Sequence, residues 1–255
     1  MIANYHTHTH RCNHAVGREE DYVKEALKAG MKILGWADHT PYLFPDGYYS
    51  RFRMRPVQLE GYIRTIQGLR EQYPIEMPIG LETEYYPKHF ANLMEFLRDH
   101  PIDYLILGQH FIGNEYDAPY SGLVTDDRAV VEQYCRQSME AMNTGLFTYF
   151  AHPDLIHYAG DWKFYMDTVR PMCAEAKKCG MPLEINLLGI REGRHYPNRY
   201  FWEMAAEEGC QVILGCDAHS PQAVNVPEAE EKALALAKEL GLEVLPRVEL
   251  RSIHR

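Results

Sequence analysis

The sequence predicts an α/β fold built on a parallel sheet. Short apolar runs alternate with longer amphipathic stretches along all 255 residues. Glycines at 30, 180, 209 and 241 sit where those stretches end, as helix stops do. No internal repeat, low-complexity tract or Gly/Ser linker divides the chain, so residues 1–255 read as one domain.

Taken in order, the candidate strands are IANYH (2–6), KILGWA (32–37), PIGLE (78–82), YLILG (104–108), FTYFA (147–151), LEINL (183–187) and QVILGC (211–216). Residues 19–30 read as the first helix. The second spans 56–73, with Pro56 near its start. Helical patterns follow near 90–99, 126–143, 163–179, 199–209 and 228–240. Seven strands of this kind either close as a barrel or stay open as a doubly wound sheet. No GxGxxG follows the first strand and no P-loop occurs, so the usual nucleotide sites of open sheets lack support.

Composition narrows the function. Hydrophobic residues make up 46% of the chain, an ordinary globular share. The net charge of −10 argues against a broad basic surface for nucleic acid or anionic membranes. No apolar run approaches the roughly 20 residues of a membrane span. The start lacks the basic-then-apolar layout of a secretory signal. The expectation is a cytoplasmic protein that binds neither nucleic acid nor membrane. Six cysteines without CxxC spacing read as reduced, mostly buried positions.

The polar residues fall in a pattern. YHTHTHRCNH (5–14) opens the chain with His6, His8, His10 and His14. Nearly every later strand also runs into metal-capable residues. These are Asp38 and His39 in GWADHT, Glu82 in GLETEYY, His110 in LGQHF, His152 in FAHPD, and Asp217 and His219 in GCDAHS. The sixth strand ends near Asn186, with Arg191 soon after. A lone histidine is more often structural than a ligand. In a barrel of parallel strands, however, all C-terminal strand ends meet on one face, which holds the active site. Residues two apart in an extended segment also project to the same side, which makes HxH a chelating pair.

The candidate ligands are His6, His8, His14, His39, Glu82, His110, His152, Asp217 and His219. So many donors exceed the needs of one zinc and fit two or three ions with a bridging carboxylate. Imidazole with carboxylate suits zinc, iron or manganese, and the lack of thiolates near the site argues against a structural Cys-type zinc centre. Clusters of this kind generate hydroxide near neutral pH and clamp phosphoryl oxygens during in-line displacement. The residues therefore point to a multinuclear metallohydrolase, with a small phosphate ester as its best-suited substrate.

The ordered set HTH (6–8), DH (38–39), GLE (80–82), GQH (108–110), HPD (152–154) and DAH (217–219) resembles the polymerase and histidinol phosphatase (PHP) superfamily. Within it, RCNHAVG, ADHTPY, GLETEYYP, DYLILGQHF, EINLLGIR and GCDAHSP look like the histidinol-phosphate phosphatase branch. The resemblance implies a distorted seven-stranded, TIM-like (β/α) barrel with a trinuclear site. It implies that His6, His8, Glu82 and Asp217 hold one metal. Glu82 would bridge to a second, completed by His110 and His152, and His14, His39 and His219 would hold the third. His10 has no role in that pattern. The family usually carries an acidic residue where this chain has Asn4.

The implied reaction is hydrolysis of L-histidinol phosphate to L-histidinol and phosphate by a metal-bridging hydroxide. Asp38 is a candidate to protonate the leaving alcohol, or else to orient His39. Arg191 and Arg53, the latter in RFRMRP, are candidates for gripping phosphate, since a guanidinium fork matches its geometry. Glu84 is a candidate for meeting the substrate's imidazole and amine. Three other readings remain: a PHP phosphoesterase for another small monoester or nucleotide, a non-catalytic metal-stabilised protein, and an amidohydrolase-type C–N hydrolase. The last commonly uses a bridging carboxylated lysine, and Glu82 stands at that position here.

Overall fold

The computed structural model describes residues 1–254. Its strands are β1 (Ala3–Asn4), β2 (Ile33–Leu34), β3 (Trp36–His39), β4 (Ile79–Thr83), β5 (Tyr104–Leu107), β6 (Phe147–Phe150), β7 (Leu183–Asn186), β8 (Gln211–Gly215) and β9 (Glu243–Val244). Its helices are α1 (Glu19–Lys28), α2 (Leu59–Gln72), α3 (Phe90–Leu97), α4 (Arg128–Asn143), α5 (Trp162–Lys178), α6 (Leu187–Glu192), α7 (Arg199–Glu207) and α8 (Pro227–Leu240). Strands β3 to β9 form a seven-stranded sheet in sequence order, all parallel. β1 and β2 pair in a separate two-stranded sheet.

Two elements depart from the sequence expectation. The run 32–37 divides at Gly35 into β2 and β3, and a Cβ at that position would press on the Tyr5 backbone and the Tyr104 hydroxyl. The seventh strand of the main sheet is β9, a two-residue edge strand too short to leave a periodic signal. The first predicted strand, 2–6, keeps only two residues of ladder, but its hydrogen bonds reach further. Gly35 N–H donates to Asn4 O and Ala37 N–H to Thr7 O on one side. On the other side His8 N–H donates to Ala218 O and Ala218 N–H to His6 O.

Helix caps follow from local chemistry. Asp127, Asp161 and Asn198 each accept a backbone N–H from the first turn of α4, α5 and α7. Glu19, Glu20 and Asp21 lie at the positive end of α1. Among the described residues no helix is long and apolar enough to cross a membrane.

The large apolar cluster lies between the sheet and the helices, and it includes Trp36, Leu81, Leu105, Leu107 and Val212. A smaller cluster on the opposite face gathers Tyr5, Ala37, Tyr104, Ile106, Tyr149 and Ile213. Side chains alternate along a strand, so each residue two positions on shares that second face. Glu82 lies two beyond Gly80, and Gly108 two beyond Ile106. The same alternation that builds the apolar floor thus carries the Glu82 carboxylate to the strand end above it.

Candidate metal centre and active site

Four histidines have their protonation pattern set by a partner on Nδ1. His6 Nδ1 lies 3.1 and 2.9 Å from the two oxygens of Glu184. His110 Nδ1 lies 2.9 Å from Glu84 Oε1. His14 Nδ1 lies 2.8 Å from the Cys12 carbonyl, and His219 Nδ1 3.1 Å from the Asp217 carbonyl. Carbonyls and carboxylate oxygens accept, so each Nδ1 donates, and in the neutral ring Nε2 is the nitrogen that offers a lone pair. This is how metal-binding imidazoles are held.

The other three meet the carboxylates with their inner nitrogens. His152 Nε2 is 2.8 Å from Glu82 Oε1, His39 Nδ1 3.0 Å from Glu82 Oε2, and His8 Nε2 3.1 Å from Asp217 Oδ1. His6 Nε2 is 3.5 Å from both Glu82 and Asp217. Glu82 is therefore the hub: one oxygen faces His152, His110 and His6, and the other faces His39 and His8.

The buried nitrogens His6 Nε2, His8 Nε2, His39 Nδ1 and His219 Nε2 make no well-formed hydrogen bond. Buried polar atoms are normally satisfied, so a set of them aimed at one centre fits divalent ions. Close-set triads of donors recur here, among them His6–His8–Glu82, His6–His152–Asp217 and His8–His39–His219. The structure thus brings together all nine candidate ligands named from the sequence.

The electrostatics suit cations. Burial opposes charge on Glu82, but His110, His6 and His39 outweigh it and hold the carboxyl well below its ordinary range. Asp217 is likewise held down, by His6 and His8 against burial. His8 is raised to about 9 because Asp217 and Asp38 overcome its burial. Burial and the neighbouring His8 push His219 down to about 3, and burial keeps His39 well below its usual range. The last two are thus neutral, ready donors.

Backbone strain and glycines complete the site. His152 and Asp217 take positive φ of 33° and 47°, a conformation that costs a non-glycine residue roughly 1–3 kcal/mol and concentrates at functional sites. A Cβ on Gly108 would strike the Glu82 carboxylate, and one on Gly215 the Glu184 carboxylate. Both positions must be bare for those acids to fit.

The centre forms the floor of a cavity of about 400 Å³, walled by Phe52, Phe111, Tyr120, Leu155, Leu188, Glu192, Arg194 and Tyr196. Phe52 stands edge-on to His39 at 5.2 Å and stacks on Phe111 at 5.5 Å. Arg194 is braced by Glu192, 2.9 Å from Nε, and donates to the Tyr196 hydroxyl at 2.8 Å.

A PHP domain model matches residues 4–187. The chain belongs to the PHP family. It is 30% identical over 239 residues to a probable histidinol-phosphatase of Deinococcus radiodurans, spanning 86% of this chain and 87% of that one. A probable histidinol-phosphatase of Schizosaccharomyces pombe is 23% identical over 254 residues, covering 89% and 83%. The fold matches the crystal structure of histidinol phosphate phosphatase from Lactococcus lactis, solved with zinc, L-histidinol and phosphate. That match has a TM-score of 0.73 at 18% identity and covers 100% of this chain and 98% of that one.

Within this PHP site, several sequence expectations need correction. Asp38 is fully buried and off the cavity wall. Its Oδ2 takes the Thr9 N–H and hydroxyl, and its Oδ1 takes the His39 N–H and lies 3.5 Å from His8 Nδ1. It stands behind His8 and under the His39 backbone, with no face on the cavity. Arg53 and Glu84 are also buried, pair as ions at 3.0 Å, and neither lines the cavity. Arg191 lies off the cavity on α6, beside Glu192 and a separate hollow lined by Val226 and Pro227. Arg194, three residues on, is the guanidinium on the wall.

A thiol also lies at the site, against the sequence reading. Cys12 sits within ligand-sharing distance of His14 and His219, and burial pushes its thiol pKa well up. Sequence reasoning missed Glu184 as well, although EINL put an acid next to a metal-side strand end. Asn4, noted as a departure from the family pattern, accepts the His6 and Cys216 N–H groups, 3.2 and 2.9 Å away, and donates to Thr7 Oγ1 at 2.7 Å. His10 is exposed, 3.5 Å from Glu19 and off the cavity.

Proposed function

We propose that this PHP chain hydrolyses L-histidinol phosphate to L-histidinol and phosphate, using divalent ions held by the nine strand-end donors. The observation that carries the reading is the convergence of those donors on the floor of one cavity that also holds a guanidinium. The names of the Deinococcus and Schizosaccharomyces relatives supply the substrate.

His6, His8, Glu82 and Asp217 would hold one ion, His110, His152 and Glu82 a second, and His14, His39 and His219 a third. The donor set suits zinc, iron or manganese. Bound there, such ions supply Lewis acidity: they ionise water near neutral pH and neutralise charge on phosphoryl oxygens. The chain's own residues do the rest. Arg194, held by Glu192 and Tyr196, presents a fixed fork to the phosphate. Phe52, Phe111, Tyr120 and Tyr196 form aromatic walls that fit a flat imidazole. Binding both ends of a small ester fixes its phosphorus over the floor, and positioning carries much of phosphoryl transfer.

We also infer that residues 1–255 are one domain and that the sheet closes as a distorted, TIM-like barrel. Two features support closure. Residues 4–8 hydrogen-bond to 35–37 on one side and to 218 on the other. The small apolar cluster draws on strands from both ends of the sheet order.

The test is phosphate release from L-histidinol phosphate beside sugar, nucleotide and aryl phosphates, by wild type and His8→Ala, with elemental analysis of both. Selective turnover on L-histidinol phosphate, lost together with metal in the variant, is the expected result. Faster hydrolysis of another ester would overturn the substrate. Metal-free, inactive protein that resists reconstitution would overturn the chemistry.

A further inference from the structure

Arg53 lies between β3 and α2, next to the cavity-wall Phe52, but is itself off the cavity and has no part in the proposed reaction. Its side chain is 1% exposed, and its guanidinium reaches three acceptors in different directions. Nε donates to Glu115 Oε1 at 3.1 Å and Nη2 to Glu115 Oε2. Nη1 donates to the Thr40 carbonyl at 2.6 Å. Nη2 also lies 3.0 Å from Glu84 Oε2. The other oxygen of Glu84 takes His110 Nδ1 at 2.9 Å. A continuous line therefore runs Glu115–Arg53–Glu84–His110.

The segment is fastened at a second point. The Arg53 carbonyl accepts from Asn13 Nδ2 at 3.2 Å and from the Tyr49 hydroxyl at 2.8 Å. Asn13 directly precedes His14. The neighbouring Phe52 stands edge-on to His39 and His110. One short stretch thus touches the surroundings of both the second and the third ion.

Two buried carboxylates side by side require a counter-charge, and removing it leaves them uncompensated in a dry interior. A planar fork can serve Glu84, Glu115 and a carbonyl at once, whereas a lysine ammonium has one compact head. Arg53 is therefore the group that holds the Glu84 carboxylate where His110 needs it.

We propose that Arg53 is a positioning residue for His110. Acting through Glu84, it sets the ring orientation with which His110 meets a metal ion and ties the 49–53 segment to the centre. The assignment rests on the reading of His110 as a ligand.

The test uses full-length zinc-loaded protein: wild type, His110→Ala, Arg53→Lys, Arg53→Met and the Arg53→Met/His110→Ala pair. Zinc per chain is measured by elemental analysis, zinc release is timed against a chelator, and melting of the metal-stripped forms is recorded. His110→Ala is expected to lose one class of zinc. Arg53→Met is expected to weaken that same class about 10–100-fold and spare the rest, the usual effect of losing a group that orients a ligand. Arg53→Lys should fall between, and Arg53→Met should weaken zinc no further once His110 is gone.

Zinc release unchanged in Arg53→Met, or weakened equally at every site, would overturn the proposal and leave Arg53 a packing residue. So would further zinc loss in the double variant. If Arg53→Met fails to fold, Arg53→Lys decides by the same readouts, and wild-type release from it would overturn the proposal. Unchanged zinc in His110→Ala would instead overturn the ligand reading, and this assignment with it.

Discussion

Glu184 grips His6 with both carboxylate oxygens, 3.1 and 2.9 Å from Nδ1, across 178 positions of sequence. Both side chains are fully buried. The pair recurs in kind: Asp38 stands behind His8 and Glu84 behind His110.

Removing that grip should show first in metal affinity. Glu184→Ala is expected to lower affinity at the His6 ion about 10–100-fold, with phosphatase activity falling in step. Glu184→Gln keeps an acceptor and should lose less. Competition with a chelator measures both. Equal affinities in wild type and Glu184→Ala would make the contact incidental.

The two arginines near α6 should separate cleanly. Arg194→Ala is expected to raise KM for the phosphate ester about 10- to 100-fold, the worth of a charged hydrogen bond. Arg191→Ala, whose side chain lies off the cavity, should stay within about twofold, since surface changes rarely exceed 0.5 kcal/mol. Steady-state kinetics on the two variants decide it, and the reverse order would return Arg191 to the site.

Gly108→Ala is expected to abolish activity and metal binding while the fold survives. The added methyl collides with the Glu82 carboxylate, and that hub reaches five histidines. Metal content beside circular dichroism tests this. A fully metallated, active Gly108→Ala protein would contradict the hub.

In metal-stripped protein, His8 binds its proton more tightly folded than unfolded, at about 9 against an ordinary 6.5. Its contribution is therefore complete below pH 6.5 and is lost as pH rises toward 9. The swing is about 3 kcal/mol at most. Urea midpoints of stripped protein should fall across that range relative to stripped His8→Gln. Parallel curves for the two would remove His8 as the cause.

What the sequence made legible was the part with a period. Apolar runs followed at once by His, Asp or Glu marked the strand ends, and parallel pairing brought those ends to one place. Burial decides the remainder, and spacing does not report it. Arg53 and Glu84 carry charges that suggest a substrate contact, yet each neutralises the other inside the protein. Arg191 and Arg194 are indistinguishable in sequence, and only α6 and the turn after it aim one outward and the other into the cavity. Glu184 gave a signal that went unused: an acid in phase with Asn186 on an otherwise apolar strand has to find a buried cation or donor.

The donors are spread from His6 to His219, with each cluster drawing on distant stretches of chain. A ribosome makes the first of them more than 200 residues before the last. On the proposed ligand sets, the ions bound by Asp217 and His219 cannot be captured until synthesis has passed residue 219. Loading of those two ions then waits on the chain as far as His219, and a product that stalls before Asp217 lacks donors for two of the three proposed sets.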